Sequence, residues 1–148
     1  MANIATTYMG LKLSSPVIIG SSGLTSSLDN IREFASRGAG AVVLKSLFEE
    51  QIRHEIAHTS SHDLTANMYP EAQDYIANYS RNHRVDEYLE LIRKAKKEVS
   101  IPIIASINCI SSEEWVSFAK KIEEAGADAL ELNVFIMPSD PSFGAEHN

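Results

Sequence analysis

The feature that most limits what this chain can fold into is an internal repeat. Phe34-Ala35-Ser36-Arg37-Gly38-Ala39-Gly40-Ala41-Val42-Val43-Leu44 has the same pattern as Ile122-Glu123-Glu124-Ala125-Gly126-Ala127-Asp128-Ala129-Leu130-Glu131-Leu132. Each copy reads as a helix end, a glycine-containing turn and an apolar strand. Two further apolar runs, Val17-Ile18-Ile19 and Ile103-Ile104-Ala105-Ser106-Ile107-Asn108, supply more strands, each with helix-forming sequence after it. A series of strand–helix units with right-handed crossovers makes either a doubly wound sheet or a barrel. No GxGxxG run follows any strand, which weighs against the dinucleotide-binding open sheet. The expected class is α/β, a (β/α)8 TIM barrel. A complete barrel takes about 250 residues, so 148 residues with about four units are expected to be its N-terminal half. The whole of 1–148 is then part of one truncated domain.

In chain order, residues 4–13 read as a small β-hairpin around Gly10. Pro16 opens the first buried strand, which breaks at Gly20-Ser21-Ser22-Gly23. Ser26 or Ser27 can cap the next helix, whose apolar stripe is Ile31, Phe34 and Ala35 and whose end is Arg37-Gly38. The strand Val42-Val43-Leu44-Lys45-Ser46 follows. Residues 47–84 are polar, with short helical candidates at 49–58 and 71–79. A connection this long inside an α/β unit is usually functional. A helix over 86–99 carries Tyr88, Leu89, Ile92 and Ala95 on one face. A second, starting at Ser111-Ser112-Glu113-Glu114, buries Trp115, Phe118, Ala119 and Ile122. The last strand runs over 129–134, and 138–144 is loop.

Composition narrows the function. A hydrophobic fraction of 44%, a net charge of −7 and a pI near 5.2 argue against nucleic acid or an anionic membrane as partner, since both need clustered basic residues. No run approaches the roughly 20 apolar residues of a membrane span. The lone Cys109 cannot form an internal disulfide; it reads as a small buried residue of a protein of the reducing cytoplasm. His54, His58 and His62, with Glu50, are spaced by four, a spacing that can bind zinc on a helix. Thr59-Ser60-Ser61 makes a poor helix, so this stretch reads as a solvated loop face and no metal site is expected.

The chemistry is expected at the strand ends. Ser21 and Ser22 follow the first strand, Lys45 and Ser46 the second, Ser106 and Asn108 close the third, and Asn133 the fourth. Strand ends of a barrel converge on one face, where such enzymes place their sites. Lys45 stands out, because an ammonium at the end of a buried strand must find a partner or solvent.

These residues and their order resemble the N-terminal half of the class 1 dihydroorotate dehydrogenases, FMN-dependent (β/α)8 barrels. Ser15-Pro16-Val17-Ile18-Ile19-Gly20-Ser21-Ser22-Gly23 stands in place of the family's NPxxxASG segment. Gly38-Ala39-Gly40-Ala41-Val42-Val43-Leu44-Lys45-Ser46 matches its GxGxxxxKS strand, and Glu131-Leu132-Asn133 its ELN strand. The resemblance implies that Ser21, Ser22 and Gly23 lie along FMN and that Lys45 sits near both flavin and substrate. It places Ser46 beside the flavin, Ser106 and Asn108 where the third strand approaches it, and Asn133 in contact with flavin and substrate. Asn67 and Met68, in the long loop, would meet a pyrimidine-like substrate. Lys45 and Asn133 are the implied catalytic pair. The implied activity is oxidation of a CH–CH bond, in dihydroorotate or a related compound of pyrimidine biosynthesis.

The chain departs from the family after ELN. The family carries a segment of the type LSCPN, whose Cys or Ser is the base; here Ile136 or Met137 stands there, and neither can accept a proton. Ser139 and Asp140 are displaced candidates. The NSMGL loop is altered to Asn67-Met68-Tyr69-Pro70. Two alternatives stay open: a non-redox barrel lyase or isomerase with Lys45 as a Schiff-base lysine, and a non-catalytic fragment or assembly module. A half-barrel exposes sheet edges, so a homo-oligomer is expected.

Overall fold

In the computed structural model of the chain, the residues described are 3–49, 70–109 and 112–134, with backbone alone for 70–82 and 112–113. The expected hairpin opens the chain: β1 (Thr6–Tyr8) and β2 (Leu11–Leu13) pair antiparallel, with Tyr8 opposite Leu11. Met9 and Gly10 both have positive φ, 49° and 80°, as a two-residue hairpin turn of this hand requires.

The remaining strands form one parallel sheet: β3 (Ile18–Ile19), β4 (Ala41–Val43), β5 (Leu47–Phe48), β6 (Ile103–Asn108) and β7 (Ala129–Leu132). Ile18 lies opposite Ala41, Val42 opposite Ile103, and Ile104 opposite Ala129. β4 and β5 both pair with the same side of β6's run, so they act as one interrupted strand. With that, neighbours in sequence are neighbours in the sheet, all parallel, with no reversal of order of the kind that creates the cleft of a doubly wound fold.

Helix α1 (Leu28–Ser36) joins β3 to β4, α2 (Pro70–Glu98) precedes β6, and α3 (Ser112–Ala125) joins β6 to β7. Ser27 is the N-cap of α1, but its side chain makes no capping bond; Ser26 instead closes a short 3-10 turn by donating to the Gly23 carbonyl. Helix α2 merges the expected candidates at 71–79 and 86–99 into one. The intervening Ser80-Arg81-Asn82-His83-Arg84-Val85 is polar, yet it holds no Gly or Pro to stop a helix. Most of the 49–58 candidate, including His54 and His58, lies outside the described residues, as does His62.

The two copies of the repeat close in the same way. After α1, Gly38 (φ 89°) donates to Ala35 O and Ala39 to Phe34 O; after α3, Gly126 (φ 92°) donates to Glu123 O and Ala127 to Ile122 O. Both are Schellman turns, which place a residue in left-handed backbone where glycine is unstrained. The turns aim β4 and β7 into equivalent places beside β6.

Side-chain alternation along the strands gives the sheet two unlike faces. One packs against the helices: Val42, Leu44, Ile103, Ala105 and Ile107 meet Ile31, Leu89, Ile92, Phe118 and Ile122. Cys109 is buried in this layer, as expected. Fully burying each Leu or Ile here contributes about 1.5–3 kcal/mol. On the other face Ala41, Val43 and Ile104 are covered by Leu13 of the hairpin, with Leu11, Ile18 and Ala129 beside them. The hairpin therefore plugs one end of this second face. The other end is left for polar residues.

Candidate functional site

Beyond the plug, the second face turns polar residue by residue. On β6, Ile104 is followed two places on by Ser106 and then Asn108; on β7, Ala129 is followed by Glu131 and then Asn133. Period-two alternation keeps each series on one side of the sheet.

The strand of Lys45 reaches the same place by breaking its alternation. Val43 is opposite Ile104 and Leu47 is opposite Ile107, so Leu44, Lys45 and Ser46 span a gap that Ala105 and Ser106 fill on β6. One extra residue is a β-bulge, a device that re-aims side chains and interrupts the ladder. The polarity of residues 47–84 implies a strand ending at Ser46, but the strand resumes at Leu47–Phe48. Leu44 and Leu47 pack on the helix side, while Ser46 bonds to Ser106 and Phe48 lines the cleft on the opposite side.

The bulge leaves Ser106 facing a gap in the ladder, and Tyr88 of α2 fills it. The Tyr88 hydroxyl accepts the Ser106 N–H at 2.8 Å and donates to the Ser106 carbonyl at 3.1 Å. Burial pushes the Tyr88 phenol well above its ordinary value of 10.0; the charge of Glu131 adds to this, and the hydrogen bond from Ser106 opposes it. Tyr88→Phe strips both buried backbone groups of their partner, and is predicted to cost about 1–3 kcal/mol in urea unfolding. The linkage has a definite sign. A phenol held protonated by the fold keeps its full contribution below pH 10.0, the unfolded value, and loses it as pH rises beyond. Tyr88→Phe should therefore flatten the alkaline fall in stability; equal alkaline slopes in the two proteins would exclude this role.

Three hydroxyls and a carboxylate then run across the strand ends. Ser21 Oγ lies 3.0 Å from Ser46 Oγ, and Ser46 Oγ 2.7 Å from Ser106 Oγ. Ser106 Oγ donates to Glu131 Oε1 at 2.6 Å, and the Ser46 N–H donates to Ser21 Oγ at 3.0 Å. Asn108 Nδ2 donates to the Asn133 carbonyl at 2.5 Å. Above this network lies a cleft of about 510 Å³ lined by Ser21, Ser22, Gly23, Lys45, Ser46, Phe48, Glu131, Leu132 and Asn133.

The fold thus gathers Ser21, Ser22, Gly23, Lys45, Ser46 and Asn133 around one space. Ser106 and Asn108, both buried, stand behind it: the first holds Ser46, the second Asn133. Asn67 and Met68 lie outside the described residues, as do Ile136, Met137, Ser139 and Asp140. Sequence reasoning assigns no role to Glu131, Tyr88 or Phe48. For Glu131 a signal is present, since a charge inside Ala129-Leu130-Glu131-Leu132 is as anomalous as Lys45 at the end of its strand. For Tyr88 there is none, because its spacing is that of an ordinary helix stripe. Among the described residues no cluster of His, Cys, Asp and Glu could hold a metal ion, and no helix is long and apolar enough to cross a membrane.

No family model matches the chain. Individual relatives do. It is 32% identical over 148 residues to the catalytic subunit of dihydroorotate dehydrogenase B (NAD(+)) of Thermoplasma volcanium, and 30% to that of Thermoplasma acidophilum; each match covers 99% of this chain and 46% of the relative. It is 25% identical over 135 residues to the NAD-dependent dihydropyrimidine dehydrogenase subunit PreA of Escherichia coli K12, covering 88% of this chain and 32% of that one. The chain spans about half the length of the first of these curated relatives. This similarity to several dihydroorotate dehydrogenases, over nearly all of its residues, supports assignment of the chain to a dihydroorotate dehydrogenase-like family.

Proposed function

We propose that these residues form the N-terminal half of a (β/α)8 flavin barrel, and that the protein is an FMN-dependent oxidoreductase acting on a CH–CH bond. The observation that carries this is the common cleft: residues expected along the flavin from the loop after β3, from the Lys45 strand and from the end of β7 line a single space. Its volume of about 510 Å³ falls within the roughly 300–1,000 Å³ of cofactor and ligand sites. The sequential parallel sheet supports the barrel, and the relatives' names support the oxidoreductase.

The cleft's residues fit such a group. A Cβ at Gly23 would meet no atom within 4 Å, so that loop faces open space where a planar ring can lie. Lys45 is exposed at the cleft and would stabilise negative charge developing there. Asn133, its backbone held by Asn108, would orient flavin and substrate, and Asn67 and Met68 would contact the substrate. The flavin, when bound, supplies the two-electron acceptor. Dihydroorotate or a related pyrimidine-like compound is the proposed substrate, with Ser139 or Asp140 as the candidate base in place of the family's Cys or Ser. A homo-oligomer in the cytoplasm is the proposed setting.

The test is direct. The protein, purified at its full natural length, should be yellow, with flavin absorbance, and should quench FMN fluorescence on titration. A colourless protein that leaves FMN fluorescence untouched would remove the reading.

A further inference from the structure

Hydrogen counting fixes the direction of the hydroxyl chain under the cleft. A serine hydroxyl has one hydrogen to give. That of Ser106 goes to Glu131 Oε1. The 2.7 Å contact between Ser46 Oγ and Ser106 Oγ must then have Ser46 as donor. With the Ser46 hydrogen used, the 3.0 Å contact between Ser21 Oγ and Ser46 Oγ must have Ser21 as donor. Ser21 Oγ also accepts the Ser46 N–H. Every hydroxyl hydrogen in the row is thus drawn inward, toward Glu131. Ser21 and Ser46 both line the cleft, and each has lone-pair capacity left and no hydrogen.

We propose that Glu131, acting through Ser106, orders this chain so that Ser21 and Ser46 face the cleft as hydrogen-bond acceptors only, and that the bound ligand meets them with an N–H or O–H donor. Glu131 and Ser106 are positioning residues. The bulge at Leu44–Ser46 is what makes the arrangement possible, because it brings Ser46 over Ser106 while Tyr88 occupies the ladder groups of Ser106 that would otherwise compete. The ligand class is a planar heterocycle with a ring N–H. On an oxidised flavin that means N3–H, the ring's one donor, its other polar ring atoms being acceptors. The ligand half of this inference rests on the flavin reading above; the order of the chain does not.

Two measurements test the two halves. In neutron diffraction from the perdeuterated protein, the deuterons of Ser21, Ser46 and Ser106 should each lie on the side toward Glu131. A Ser46 deuteron pointing at Ser21 would overturn the order. In fluorescence titration, the full-length protein should bind FMN about tenfold more tightly than 3-methyl-FMN, the loss expected when one hydrogen bond is replaced by a methyl. Ser106→Ala keeps the Glu131 charge but cuts the chain, freeing the Ser46 hydrogen to turn toward Ser21. It should narrow that preference while FMN still binds. Equal binding of the two flavins by the unmodified protein, or an unchanged preference in Ser106→Ala, would refute the acceptor assignment. Binding of neither flavin removes the ligand half together with the flavin reading, and the deuteron positions still decide the order.

Discussion

Gly40→Ala is expected to cost about 3 kcal/mol or more, enough to unfold much of a marginally stable domain. A Cβ at Gly40 would come 2.0 Å from the Ser15 carbonyl oxygen, 3.0 Å from its carbon and 3.3 Å from Leu13 Cβ. The first two are backbone atoms, which cannot rotate aside. Nor can the segment drift away. Gly40 N–H donates to Val17 O at 2.8 Å, Ser15 Oγ donates to Gly38 O at 2.8 Å, and Leu13 plugs the inner face of the sheet. Relief would pull the hairpin off Ala41, Val43 and Ile104. Gly20 and Gly23 make the contrast, since a Cβ at either meets nothing within 4 Å; alanine there should stay within about 0.5 kcal/mol of the parent. Urea unfolding followed by circular dichroism would rank the three, and a Gly40→Ala protein with the parent's midpoint would show that the close approach does not exist.

The second large effect belongs to Lys45. Lys45→Ala should weaken FMN binding by about 10- to 100-fold, the range for losing a hydrogen bond to a charged group. The fold should be nearly unaffected, because Lys45 is exposed while its neighbours Leu44 and Ser46 are buried. A surface truncation of this kind shifts stability by no more than about 0.5 kcal/mol. Loss of binding with an unchanged unfolding midpoint would support the role in the cleft. Binding retained at the parent's strength would remove it.

How much of this is legible in the sequence depends on which interactions are local. The repeated turns are legible, because Arg37-Gly38 and Ala125-Gly126 carry their glycines at the position that must take positive φ. The two-faced sheet is half legible. Apolar runs announce the strands, but Leu13 as the plug depends on a hairpin folding back across Ala41 and Ile104, and no local pattern reports that. The continuation of the Lys45 strand is hidden for a related reason. Periodicity counts residues along one chain, whereas the bulge exists only in the register against Ile104 and Ile107. Of the site, the polar strand ends are visible as residue types. Their division into a lining set and a supporting set is not, since Ser46 and Ser106 are both serines beside apolar runs and differ only in which side of a 2.7 Å hydrogen bond they occupy. The merged helix α2 shows the opposite error: polarity between 80 and 85 suggests a break, though nothing there stops a helix.

The extra residue at Leu44–Ser46 also sets a limit on how such a cleft can change. It alters the parity of the strand, so that Leu47 faces the helices and Phe48 the cleft, the reverse of what uninterrupted pleating from Val43 would give. Substitution cannot change parity; only gaining or losing a residue can. A chain that lost the extra residue would return to uninterrupted pleating with Leu47 still among the helices and Phe48 still at the cleft, and would present one side chain there where Lys45 and Ser46 now both stand. The side-by-side presentation of Lys45 and Ser46 to the cleft is therefore a property of the bulge, which no substitution in a regular strand reproduces.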